Sequence, residues 1–257
     1  PIQRNSKMPV VFLAHEYDVK LTAHLGPYPE WKQDIEWTLN QNHTEPFSII
    51  IHGVMGAGKS RLIEYLSGIT PETISGINES GAGGHSTESK LYKFVGDRGR
   101  FINIIDTPGF GEREIQGQEM VLEGIDNAIG HARDCNHPLK RIYFMLDWGK
   151  DSDIVPETLI NNLSVLKLVY GTENISRLRF IVSKFDRIGS KFSRMQIIHH
   201  QREIYNKLKE QLGIILQLDA ILFVSAGGFN DPGCIRQLAY DLNCASKEPA
   251  MDIQPRS

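Results

Sequence analysis

The sequence is poor in cysteine, in long apolar stretches and in net charge. Its 257 residues include three cysteines, none of them in a Cys-x-x-Cys pair, which is typical of reduced thiols in a cytosolic or nuclear compartment. No apolar stretch approaches the roughly 20 residues of a membrane-spanning helix, and no signal-peptide pattern opens the sequence. The net charge of −3 gives no global reason to expect nucleic acid. We therefore expect a cytoplasmic protein, or one peripheral at a membrane, with no nucleic-acid partner.

What the sequence does contain is an ordinary globular composition, with 40% hydrophobic and 23% charged residues. These values exclude a wholly disordered chain. Apolar, β-branched runs alternate with longer segments of helical periodicity. The predicted strands are Phe47–Ile51, Lys90–Val95, Phe101–Ile105, Arg141–Leu146, Arg179–Ser183 and Ala220–Val224. The pattern predicts an α/β fold, namely a doubly wound, mainly parallel six-stranded sheet with helices on both faces.

The chain divides into three predicted parts. They are an N-terminal extension, a single α/β domain and a C-terminal tail, over residues 1–46, 47–245 and 246–257. In the extension, Trp31, Ile35 and Leu39 recur every four residues, which indicates a helix. We expect it to dock on the domain, because exposed tryptophan is uncommon, with a partner-binding helix as the alternative. Residues 67–88, rich in Gly, Ser and Thr, are predicted to form a long mobile loop.

A phosphate-binding loop is predicted directly after the first strand. The eight residues from Gly53 to Ser60 match G-x-x-x-x-G-K-[ST], between a strand and a helix as this motif requires. Glycines let consecutive backbone N–H groups turn toward phosphate oxygens, and the helix N-terminus adds its dipole. Lys59 would neutralise the β- and γ-phosphates, and the Ser60 hydroxyl would take a Mg²⁺ position. The predicted phosphate-binding residues are Gly53, Gly56, Ala57, Gly58, Lys59, Ser60 and Arg61.

A second motif, Asp106-Thr-Pro-Gly109, directly follows the third predicted strand. Alone, these residues are a plausible turn. After a phosphate-binding loop they become a second signal, because a carboxylate at that strand end can hold Mg²⁺ through water. We therefore predict Asp106 as a metal residue and expect the Gly109 N–H to contact a γ-phosphate.

Two further motifs predict the identity of the base. In Ser183-Lys184-Phe-Asp186, the Asp186 carboxylate can accept two hydrogen bonds from guanine that adenine does not offer, while the Lys184 stem packs over the base. After the sixth strand, Ser225 and Ala226 are placed so that a backbone N–H would reach the guanine carbonyl. The expected ligand is therefore GTP or GDP, and an ATP-dependent kinase or ATPase is the disfavoured alternative.

These four motifs, in this order at four strand ends, resemble those of the P-loop GTPases over about residues 47–245. Within them, D-T-P-G-F, the long Gly/Ser loop and Ser86-Thr87-Glu88 are similar to the septin, Toc and immunity-associated branch. The resemblance implies that a Thr before the second strand binds Mg²⁺ and reports the γ-phosphate. Thr87 is our choice, with Ser86 and Thr73 as alternatives, and Lys59 and Thr87 are the expected catalytic residues. The family motif usually begins with Asn or Thr where this sequence has Ser183.

Hydrolysis is expected to be slow. Ras-like enzymes place a water-orienting Gln directly after the D-x-x-G glycine, where this sequence has Phe110. A phenyl ring cannot orient water, so the intrinsic rate should not exceed roughly 10⁻⁴ s⁻¹. Related branches often obtain the missing group by dimerising across the nucleotide face, so a homo-oligomer or a related GTPase is an expected partner. Candidate arginine fingers are Arg98, Arg100 and Arg113, with solvated surface arginines as the alternative for each.

Charge is unevenly distributed along the chain. Residues 106–126 carry a net charge of −5, and residues 177–209 carry +7. The basic block is a candidate contact for an acidic protein or an anionic membrane surface, although solvated helix faces explain it nearly as well. The expected function is a guanine-nucleotide switch with slow, Mg²⁺-dependent GTP hydrolysis. The alternative is a septin-like scaffold that binds guanine nucleotide with little or no turnover.

Overall fold

Six strands form the central sheet of the protein, which we describe from a computed structural model. They are β1 Phe47–Gly53, β2 Lys90–Val95, β3 Phe101–Asp106, β4 Leu139–Asp147, β5 Leu178–Ser183 and β6 Ile221–Val224. Their order across the sheet is β2-β3-β1-β4-β5-β6. All neighbours are parallel apart from the antiparallel pair β2–β3. The prediction of a mainly parallel sheet is confirmed.

Within the part of the chain that the structure describes, five helices cover the two faces of the sheet. They are α1 Lys59–Ser67, α2 Ile115–Asp134, α3 Glu157–Ile175, α4 Arg194–Leu212 and α5 Pro232–Lys247. Successive strand residues point to opposite faces: in β1, Ile50 belongs to the core under α2, α3 and α4. Ile49 and Ile51 belong to the second core, which α1 and α5 cover. The prediction of helices on both faces is therefore also confirmed.

The structure describes only part of the chain. Its described residues are 45–54, 56–67, 90–95, 101–110, 115–134, 137–147, 155, 157–184, 194–216, 220–224 and 232–253. The helix predicted around Trp31 and most of the loop predicted at 67–88 lie outside these residues. Within them, no helix is both long enough and apolar enough to cross a bilayer.

The last described residues pack against the domain. The N–H of Met251 donates to the carbonyl of Leu139 over 2.8 Å, and the Met251 side chain is buried. The Asn174 amide donates to the carbonyl of Asp252 over 2.7 Å. Packing thus continues past residue 245 as far as Ile253, which lies against the α2, α3 and α4 core. The division of the chain into three parts stays a prediction.

Candidate functional site

Three of the predicted motifs begin at one edge of the sheet. Ile51, near the end of β1, pairs in parallel with Asp106 at the end of β3. Asp147, the last residue of β4, pairs with Ser183, the last residue of β5. Since parallel strands bring their carboxyl ends together, the segments that follow β1, β3 and β5 leave the sheet side by side.

The first of these segments depends on a close approach at Gly53. This glycine has φ +154°, and a Cβ there would lie 2.5 Å from the carbonyl oxygen of Met145 and 2.8 Å from its Cβ. No side chain fits between β1 and β4 at this point. The chain then turns through Gly56 and Gly58, which both have positive φ, and enters α1.

The start of α1 presents the groups that an anion needs. The N–H of Leu62 donates to the carbonyl of Gly58 over 3.0 Å, so the N–H groups of the first turn lie at an open helix end. Ser60 is half-buried there, and Arg61 is exposed. Lys59 Nζ lies 3.4 Å from the carbonyl oxygen of Gly53. Burial lowers the pKa of Lys59, and the nearby Asp106 carboxylate acts in the opposite direction. An anionic ligand would favour the charged lysine in the same way as Asp106.

The turn after β3 is fastened to β1. Asp106 is buried, and the N–H of Phe110 donates to the carbonyl of Gly53 over 3.0 Å. The Phe110 side chain is 5% exposed, with its ring centroid 5.7 Å from that of Phe144. The position that carries Gln in Ras-like enzymes therefore contributes a core residue here, with no polar group for a water molecule.

A buried chain of hydrogen bonds runs beneath this turn. His52, which is fully buried, has Nδ1 2.8 Å from Thr107 Oγ1 and Nε2 2.6 Å from the Tyr170 hydroxyl. Thr107 donates its one hydroxyl hydrogen to the carbonyl of Ile51 over 3.0 Å. Nδ1 of His52 must therefore carry the hydrogen and donate to Thr107, while Nε2 accepts from Tyr170.

His52 is neutral at physiological pH. Burial, aided by the charge of Lys59, lowers the pKa of His52 to about 3. No sequence motif assigns a role in the site to His52, Thr107 or Tyr170. The available signal was a histidine that interrupts the apolar run of β1 directly before the first glycine of the loop.

The end of β5 is joined to the phosphate-binding loop. The Ser183 hydroxyl lies 2.8 Å from the carbonyl oxygen of Ala57 and 2.9 Å from that of Leu146. Its single hydrogen serves one of the two at a time, whereas an Asn amide would offer two. Lys184 has φ +60°, a conformation uncommon outside glycine.

The Lys184 ammonium group makes the second connection. Nζ donates to the carbonyl of Gly56 and to the Asp147 carboxylate, each over 2.7 Å. The residue predicted to pack over the base thus also reaches back to the loop predicted to hold the phosphates.

Comparison with solved structures identifies the fold. Toc33 from Arabidopsis thaliana, in complex with GDP and Mg²⁺, superposes with a TM-score of 0.60 at 15% identity, over 88% of this chain and 94% of that one. Its complex with Mg²⁺ and GMPPNP gives 0.58 at 14%, over 91% and 98%. Era, in complex with MgGDPNP and nucleotides of 16S ribosomal RNA, gives 0.52 at 18%, over 84% and 60%. The chain has the fold of the P-loop GTPases.

Comparison of the whole sequence with known families adds no assignment to that of the four motifs. The sequence matches no family model and no curated protein sequence at a significant level. At 14 to 18% identity to these neighbours, the likeness rests on the arrangement of strands and helices.

The described part of the G domain provides two of the three predicted metal residues. Ser60 lies in the first turn of α1, and Asp106 ends β3 within the electrostatic influence of Lys59. A hydroxyl and a carboxylate are the hard oxygen donors that Mg²⁺ prefers, so the residues present fit the ion. Four predicted site residues, among them the third metal residue, lie outside the described residues, as do the three candidate arginine fingers: Thr87, Asp186, Ser225, Ala226, Arg98, Arg100 and Arg113.

The basic block of residues 177–209 is partly used within the G domain itself. Arg177 donates to the carbonyl of Pro249, and Arg179 pairs with Asp241. Lys184 is engaged as described above, and Lys207 Nζ lies 3.4 Å from the carbonyl oxygen of Val155. Four of its nine cations are therefore engaged in contacts within the protein, and the predicted contact with an acidic protein or an anionic membrane surface stays a prediction.

Proposed function

We propose that the protein is a guanine-nucleotide switch that hydrolyses GTP slowly with Mg²⁺. The observation that carries this proposal is the connection from β5 to the phosphate-binding loop, through Ser183 to Ala57 and through Lys184 to Gly56. These hydrogen bonds join the segment expected to select guanine to the segment expected to bind the phosphates. The ligands of the neighbouring structures, GDP, GMPPNP and MgGDPNP, support the same ligand class.

The roles within the site follow from position and charge. Lys59 and the first turn of α1 would bind the β- and γ-phosphates. Mg²⁺, held by Ser60, Asp106 and Thr87, would supply charge neutralisation between the β- and γ-phosphates. Asp186 would select guanine, with a backbone N–H of Ser225 or Ala226 on the base carbonyl.

Binding is tested by calorimetry with two variants. Lys59→Ala should abolish nucleotide retention, because it removes the cation at the phosphates. Asp186→Asn should weaken GTP relative to XTP, because an amide no longer matches both guanine donors. The exposed Lys209→Ala on α4 serves as the control for removal of a lysine. Unchanged GTP binding in Lys59→Ala or Asp186→Asn would contradict the site assignment.

We further propose that two copies, or this chain and a related GTPase, activate each other across the nucleotide face. Phe110 is a core residue, so the water-orienting group must come from elsewhere. Among the structural neighbours, dimerisation is described as important for the GTPase activity of the chloroplast translocon components atToc33 and psToc159. Arg98, Arg100 and Arg113 are the candidates for the group supplied in trans.

The second candidate function is a scaffold that binds guanine nucleotide and scarcely turns it over. The burial of Phe110 favours it as well, since the missing polar group need not be replaced. Phosphate release measured against protein concentration separates the two functions. The release by Lys59→Ala, which should not retain nucleotide, gives the background rate to subtract. A specific rate that rises with concentration supports the dimer-activated enzyme. No turnover in the assembled, nucleotide-bound state supports the scaffold.

A further inference from the structure

The buried chain Tyr170–His52–Thr107 gives β1 a role beyond the phosphate-binding loop. We propose that His52 is a positioning residue, which holds the turn after β3 through Thr107 so that Asp106 and Gly109 face Mg²⁺ and the γ-phosphate in a fixed geometry. The inference rests on the proposed function for its ligands. The hydrogen-bond chain itself is a property of the protein alone.

The turn is fastened to β1 at both ends. At its start, Thr107 contacts the carbonyl of Ile51 at 3.0 Å and the ring of His52 at 2.8 Å. At its end, the N–H of Phe110 donates to the carbonyl of Gly53 over 3.0 Å. Only Pro108 and Gly109 lie between these two attachments. Any movement of Thr107 would therefore be passed directly to Asp106 before it and to Gly109 after it.

The donor and acceptor roles in these hydrogen bonds place His52 at the centre of the hydrogen-bond chain. Thr107 uses its hydrogen on Ile51, so it can only accept from the ring, and Nε2 on the opposite side accepts from Tyr170. Both ring nitrogens are thus satisfied in one tautomer and one orientation. A side chain that donates to Thr107 is required here, and an apolar residue of similar size would leave the hydroxyl oxygen without that donor.

The hydrogen-bond chain ends at Tyr170, which lies on α3. Tyr170 is buried and directly precedes Gly171, where φ +81° and ψ +158° interrupt the helix. The ring centroids of His52 and Tyr170 lie 5.6 Å apart. The break lets α3 place the Tyr170 hydroxyl against His52 Nε2, while the helix residues after Gly171 continue in a new direction. The position of α3 is thereby linked to the turn that would sense the γ-phosphate.

Two pairs of variants separate positioning from packing. In His52→Asn the amide nitrogen falls near Nδ1 and can still donate to Thr107, whereas in His52→Gln the amide lies near Nε2 and that donor is lost. Thr107→Ser keeps the hydroxyl, whereas Thr107→Val removes it at nearly equal volume. All four change the buried chain, but only His52→Gln and Thr107→Val remove the hydrogen bond between His52 and the turn.

The measurement is the preference for GMPPNP over GDP, with Mg²⁺ and with EDTA, by calorimetry. His52→Gln and Thr107→Val should reduce the Mg²⁺-dependent preference about tenfold, because Asp106 and Gly109 lose their fixed position. GDP affinity in EDTA should stay within about threefold of wild type, since it depends on the phosphate-binding loop. His52→Asn and Thr107→Ser should retain the preference. A fall in melting temperature with an unchanged preference in all four would overturn the proposal.

Amide hydrogen exchange tests the same proposal without nucleotide. His52→Gln and Thr107→Val should exchange the Phe110 amide at least about tenfold faster than His52→Asn and Thr107→Ser, because one of the two attachments is gone. Equal exchange across the four variants would contradict the positioning role. If wild type binds no guanine nucleotide, the proposed function fails, and the exchange result still decides whether His52 holds the turn.

Discussion

Lowering the pH should reduce the free energy of unfolding of this protein through His52. The size of the effect depends on the lowered pKa that burial gives this residue. Its pKa is about 3 in the folded protein, whereas the ordinary value for a histidine, which applies to the unfolded chain, is 6.5. Between these two pH values the unfolded chain binds the proton and the folded protein does not, so the free energy of unfolding falls as pH falls below 6.5. At pH 5 the loss amounts to about 2 kcal/mol relative to pH 7.5, because each pH unit within that range contributes about 1.4 kcal/mol.

The assay is urea unfolding at several pH values, on wild type and on His52→Asn. The variant keeps a donor to Thr107 and has no titrating ring, so its free energy of unfolding should fall about 2 kcal/mol less than that of wild type between pH 7.5 and 5. The same series on His199→Asn, which removes an exposed histidine on α4, serves as the control for replacing a histidine by asparagine. Parallel pH dependences for wild type and His52→Asn would refute the conclusion that His52 is neutral in the folded protein.

Four further substitutions test other parts of the structure, with Gly130→Ala as the control for Gly53→Ala. Gly53→Ala should lower the free energy of unfolding by about 2 to 4 kcal/mol in urea melts, because its Cβ would meet the β4 backbone. At Gly130 a Cβ meets nothing within 4 Å, so Gly130→Ala should instead raise the free energy of unfolding by up to about 1 kcal/mol. Asp241→Ala should cost about 3 kcal/mol in the same assay, since it removes a partner of the fully buried Arg141. Phe110→Gln should lower stability by about 2 to 4 kcal/mol without raising the rate of phosphate release, because the side chain enters the core. A loss below about 1 kcal/mol for Gly53→Ala or Asp241→Ala, or faster hydrolysis in Phe110→Gln, would contradict these expectations.

The architecture was accessible from the sequence because local patterns determine it. Buried parallel strands are nearly continuous apolar runs, and the predicted run Phe101–Ile105 matches β3 to within one residue. The phosphate-binding loop combines a fixed spacing of glycines with a strand before and a helix after it. Each of these signals lies within a few consecutive residues.

The contacts that organise the site were not accessible in that way. Tyr170 is 118 positions from His52, and Lys184 is 128 positions from Gly56. No periodicity links residues so far apart, and their pairing depends on how α3 and β5 pack against β1. The sequence shows that Phe110 has no polar group, but its place in the core depends on the backbone bond to Gly53, which only the folded chain shows.

The central claim is that this site selects guanine. Calorimetric titration of the nucleotide-free protein with GDP and with ADP, both with Mg²⁺, tests it most directly. GDP should bind at least about 100-fold more tightly than ADP, because the wrong base leaves the polar groups that face it unpaired. Equal affinity for the two nucleotides, or a preference for ADP, would contradict it.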